Sequence, residues 1–138
     1  MLSKASTTVV AFLFTAIASD VSMATEPNYI VALGASGIHG KGVSINEAFP
    51  AQLESMLSAA GFNVKVINAG VDGDTTTGML FRIESVIPER TRITILQPGS
   101  NDFKVRKHGL SVEQHLANVE AIISRLRARQ ISGGVMWR

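Results

Sequence analysis

The sequence contains no cysteine, which excludes disulfides, cysteine-held zinc, iron–sulfur clusters and a thiol nucleophile. Aromatic residues are scarce at 6%, with one Trp and one Tyr, too few to build a surface on which bases stack. Charge is sparse and nearly balanced, 13 Lys and Arg against 11 Asp and Glu for a formal +2. No basic stripe results, and nucleic acid is not an expected partner. Long apolar runs are lacking too. The run from Thr7 to Ala18 stops at Ser19-Asp20, short of the ~20 residues a membrane-spanning helix needs.

That first run carries a different signal. Lys4 precedes it, and Ser22-Met23-Ala24 places small residues at the −3 and −1 positions of a cleavage site before Thr25, the pattern of an export signal rather than an anchor. Residues 1–24 are therefore expected to be a signal peptide removed on export to the periplasm or beyond, with no stable membrane insertion afterwards. Residues 25–138, within a chain that is 46% apolar, are enough for one small domain with a buried core.

Within that domain short apolar runs alternate with amphipathic stretches. Tyr29 to Leu33 (YIVAL), Val64 to Ile67 and Arg92 to Leu96 read as strands, the first continuous enough to be buried on both faces. Ala48 to Ala60 sets Phe49, Leu53, Met56, Leu57 and Ala60 at helical spacing, with Pro50 in the first turn and Gly61 as a stop. Thr75 or Thr76 can cap a helix carrying Met79, Leu80, Ile83 and Val86. Ser111 with Gln114 forms a capping-box pattern ahead of a stripe of Val112, Leu116, Val119, Ile123 and Leu126. The order βαβαβα predicts an α/β fold with a parallel sheet, whose sites lie at the carboxyl ends of the strands.

Three loops lie at those ends, 34–45, 68–77 and 97–110, each rich in small polar residues. The first contains Gly40-Lys41 but has Ala35 and Gly42 where a phosphate-binding loop needs Gly and Ser or Thr. A dinucleotide fold would want an acid where the second strand ends in Asn68. Nucleotide binding is thus not expected. Ser36, just past Gly34, suits a hydroxyl exposed on a sharp strand-to-helix turn, and suits equally a plain turn former. Gly73, between Asp72 and Asp74, can offer a backbone N–H to an anion, while Asp74 is also a candidate helix cap. Their spacing does not match a calcium loop. Asn101 can donate its amide to a developing oxyanion or simply occupy a left-handed turn position, and Asp102 is expected to brace its loop by accepting backbone N–H groups.

Taken together the loops resemble those of the SGNH (GDSL-type) hydrolases, the family of arylesterases, lysophospholipases and acyl-thioesterases. Leu33-Gly-Ala-Ser36 resembles the first block, Asn68-Ala-Gly-Val-Asp-Gly-Asp-Thr75 the second, and Gly99-Ser-Asn-Asp102 the third. The resemblance runs from about Tyr29 to Ile131. It implies a flavodoxin-like three-layer sandwich, incomplete at its C-terminus, and hydrolysis of a small-molecule ester or thioester through an acyl-enzyme on Ser36. It also implies an oxyanion hole built from the N–H groups of Ser36 and Gly73 and the Asn101 amide, with no metal or organic cofactor.

Ala35 stands where the family usually has Asp, and no Asp-x-x-His, the family's late block bearing the general base, occurs in the sequence. His39, His108 and His115 are the alternatives, each suited also to a surface or packing role. The expected domain is therefore an N-terminal portion of the hydrolase fold with the late block missing. A catalytically impaired remnant, or a binding module keeping the oxyanion pocket, is the alternative reading. Gly133 and Gly134 weaken Ser132 onward as a strand, predicting three strands and an uncovered sheet edge and face, with low stability, self-association or a missing partner as the expected consequence. Lys104, Arg106 and Lys107 read as a solvated loop face, and Arg125, Arg127 and Arg129 as cations at a helix C-terminus. The export reading is checked by the mass of the exported protein, whose N-terminus should be Thr25.

Overall fold

The computed structural model describes residues 26–104 and 109–135. The expected signal peptide, Arg106, Lys107 and His108 lie outside the described residues. β1 (Asn28–Gly34) is the central strand, buried from Ile30 to Gly34, as its unbroken apolar run requires. It pairs in parallel with β2 (Val64–Gly70) on one side and β3 (Thr91–Gln97) on the other. β4 (Ser132–Val135) pairs in parallel with β3, so the sheet order is β2-β1-β3-β4.

This fourth strand corrects the three-strand expectation. Parallel pairing uses main-chain groups, and the register Ile93–Ser132, Thr94–Gly133, Ile95–Gly134 needs no side chain from β4. The glycines remove packing without removing hydrogen bonds.

α1 (Ser36–His39) and α2 (Phe49–Ala59) lie against β1 and β2. α3 (Thr76–Val86) and α4 (Val112–Ala128) pack side by side over Val31, Leu33 and Leu96. The three layers expected from the sequence are present, and their main core joins Met79, Ile83, Val119, Ile122 and Leu126 to the sheet. On the α1/α2 side β3 leaves Ile93 41% exposed.

The helices begin where the sequence says. Thr75 caps α3 through its hydroxyl, which accepts the Gly78 N–H at 3.1 Å. Ser111 and Gln114 form the reciprocal capping box of α4. The α4 stripe is rotated from the expected one. His115, Val119, Ile122 and Leu126 are buried, while Val112 and Leu116 face solvent. The first turns of α4 lie against the third loop, where the Phe103 ring sits 4.9 Å from the His115 ring, and so have no sheet to cover. In α2, Met56 is likewise exposed.

The outer edge of β2 is occupied by its neighbouring helix. Glu54 accepts the Val66 N–H and the Lys65 ammonium, each at 2.8 Å. The Lys65 hydrogen bond first, then the Val66 N–H, hold its carboxyl below the usual range.

The rotated stripe yields a paired expectation. Ile122→Ala should cost about 2–5 kcal/mol in chemical denaturation, and Val112→Ala no more than about 0.5 kcal/mol.

Candidate active site

The first loop turns sharply at the end of β1. Ser36 opens α1, and its carbonyl accepts the N–H groups of Gly40 and Lys41 at 3.1 and 3.0 Å. This consumes the backbone of the turn and leaves the hydroxyl outside the local hydrogen bonding, since Ser36 makes no side-chain hydrogen bond among the described residues. Gly37 packs against the buried Gln97 amide, where a Cβ would lie 2.6 Å from Nε2.

Backbone contact and a buried ion pair lock the second loop to the first. Gly70 passes so close to α1 that a methyl group would overlap the His39 N–H, so only glycine permits the approach. The Gly34 carbonyl accepts the Val71 N–H at 3.1 Å and the Arg82 guanidinium at 3.2 Å. Arg82 in turn pairs with Asp74 at 2.9 Å, both largely buried. Asp74 is thus an ion-pair partner that also accepts the Thr75 N–H, while Thr75 supplies the helix cap considered for it above.

The third loop is tied to the second through adjacent residues. Asn101 begins a 3-10 turn (Asn101–Phe103) and is 6% exposed. Its amide nitrogen donates to the Asp74 carbonyl at 2.8 Å, and its amide oxygen accepts the Lys104 ammonium at 2.7 Å. Gly99, with φ +71°, takes the left-handed turn position, so Asn101 is not needed for it. Asp102 is fully buried. One of its oxygens accepts the Thr76 N–H at 2.8 Å, the other accepts the Thr76 hydroxyl, and His115 Nδ1 lies 2.7 Å from the latter. A carboxylate only accepts, so this geometry puts a hydrogen on Nδ1. Asp102 does brace by accepting a backbone N–H, but that N–H belongs to the first turn of α3. The histidine partner was not foreseen: a lone His on a helix, thirteen residues from Asp102, carries no spacing signal.

Ser36 and Asn101, with Gly37, Gln97, Lys41 and Lys104, line one open cleft of about 400 Å³ at the carboxyl ends of β1 and β3. Gly73 does not line it. Its loop reaches the cleft through Asp74, whose carbonyl holds Asn101. His39 does not line that cleft, its Nδ1 lying 3.4 Å from the Gly70 carbonyl, and His115 is committed to Asp102. A larger hollow of about 810 Å³ between α2 and the β2 edge brings together none of Ser36, Gly73 and Asn101. Among the described residues no three acids or histidines are grouped so as to hold a metal ion, and no helix is long and apolar enough to cross a membrane.

A serine turn, a Gly-Asp turn and an Asn-Asp turn thus lie at one end of a parallel α/β sheet. Residues 32–137 match the GDSL-like lipase/acylhydrolase family, and the chain belongs to it. Its fold is similar to that of AlinE4, an SGNH-hydrolase family esterase, at 38% identity and a TM-score of 0.71 over 80% of this chain and 59% of that one. Esterase TesA of Pseudomonas aeruginosa is 25% identical over 91 residues, 65% of this chain and 45% of TesA. A crystal structure of TesA shares the fold, with a TM-score of 0.70 at 24% identity over 78% of this chain and 59% of that one. The chain thus spans about half the length of the curated relative it matches.

Removing the buried carboxylate tests how the loops are held. Asp102→Ala orphans the Thr76 N–H and the His115 N–H at once, and should lower stability by about 3 kcal/mol, read as a fall in the denaturation midpoint.

Proposed function

We propose that this protein is a serine esterase cleaving carboxylic ester or thioester bonds through an acyl-enzyme on Ser36. The observation that carries the reading is the shared cleft. An unengaged serine hydroxyl and a fixed Asn101 amide line one opening at the carboxyl ends of adjacent parallel strands, in a chain of a lipase/acylhydrolase family. The relatives named above as esterases support it.

In this scheme Ser36 Oγ forms a bond to the carbonyl carbon, and the carbonyl electron pair moves onto oxygen. The Ser36 N–H and the second amide hydrogen of Asn101 receive that charge; the Gly73 N–H, which the resemblance adds as a third donor, lies outside the cleft's lining. Collapse expels the alcohol or thiol, which takes up the proton lost by Ser36. Water then adds to the acyl carbon, releasing the acid and restoring the hydroxyl. The scheme needs side chains, backbone and water. The proton relay requires a base within ~3 Å of the hydroxyl; His39 does not line the cleft, so His108→Ala is the substitution that tests for a base in this chain. Export behind residues 1–24 belongs to the same reading and would put the enzyme among extracytoplasmic esters.

The test is hydrolysis of p-nitrophenyl acetate by the purified protein. Ser36→Ala should reduce turnover to the buffer rate, and Asn101→Ala should cut kcat by about 10²–10³. Equal rates for wild type and Ser36→Ala would overturn the esterase reading and leave a binding module.

A further inference from the structure

The Asn101 amide is held at both ends. Its nitrogen donates to the Asp74 carbonyl at 2.8 Å; its oxygen accepts the Lys104 ammonium at 2.7 Å. Lys104 is exposed and lines the same cleft as Ser36, so it is more than the solvated loop charge its sequence context suggests. An amide whose oxygen accepts from a cation is polarised toward its N–H groups, which become stronger donors. The two anchors also allow one orientation of the amide, because a flip would set nitrogen against ammonium and oxygen against carbonyl.

We propose that Lys104 is a positioning residue of the oxyanion hole, orienting and polarising the Asn101 amide through its oxygen. It does not touch the substrate. The effect belongs to the state in which charge has developed on the carbonyl oxygen, so it appears in kcat more than in KM. Being carried by a solvent-exposed ammonium, it is weakened by salt. A purely structural contact would show neither signature. The inference rests on the esterase reading, and its test separates the two.

Lys104→Met and Lys104→Arg are compared with wild type on p-nitrophenyl acetate, from about 20 mM to about 0.5 M salt. Lys104→Met should lower kcat about tenfold at low salt, leave KM within about twofold, and abolish the fall in kcat that salt causes in wild type. Lys104→Arg should restore both the rate and the salt dependence. In parallel, the Asn101 side-chain amide signals are followed by ¹⁵N NMR, assigned by their loss in Asn101→Asp. They should shift in Lys104→Met and stay near the wild-type position in Lys104→Arg. An unmoved amide overturns the proposal, as does a moved amide with unchanged kcat. Should wild type and Ser36→Ala turn over equally, the esterase reading fails by itself. The amide signals then decide the Lys104–Asn101 coupling alone: movement in Lys104→Met that Arg reverses sustains it, and no movement ends it.

Discussion

A carboxylate with no exposed surface must find donors for both of its oxygens, and Asp102 finds them on two different helices. The backbone and hydroxyl of Thr76 approach from the start of α3, and the His115 ring approaches from α4. Asn118 extends the set by donating to the Thr76 hydroxyl at 3.0 Å. Two helices and one loop thereby share a single anchoring point directly beside Asn101. The alternative, a buried charge with unmet hydrogen bonds, is costly enough to make the arrangement nearly all-or-none.

From that point the remaining loop positions follow by contact. Thr76 lies two residues beyond Asp74, whose carbonyl holds Asn101 and whose carboxylate holds Arg82. Arg82 reaches the Gly34 carbonyl at the end of β1, two residues before Ser36. Three loops distant in sequence are thus connected in series through buried polar groups. The cleft between them is open to solvent, yet most of its framework is not.

Much of this was legible in the sequence, and the legible parts share a physical character. Continuous apolar runs mark central parallel strands, and Thr75 and the Ser111–Gln114 pair mark helix starts through local hydrogen bonding. A shared opening for Ser36 and Asn101 could be expected because a parallel sheet brings the strand ends together, whereas Gly73 lies outside that opening's lining. What stayed hidden depended on tertiary contact. His115 is meaningful only once Asp102 lies against it, and Arg82 only once Gly34 and Asp74 do. The stripe of α4 differs from the expected one because Val112 and Leu116 have the right spacing but face solvent where the helix has no sheet to cover. β4 was missed because its two glycines carry no apolar signal, while main-chain pairing asks for none.

The Glu54 carboxylate on the Val66 N–H has a consequence for how copies of the sheet could meet. A strand arriving at β2 would have to displace a hydrogen-bonded, ion-paired side chain, whereas β4 presents short glycine-rich backbone. Edge pairing is therefore asymmetric. A single acidic side chain on α2 thus makes the β2 edge a poor template for an added strand.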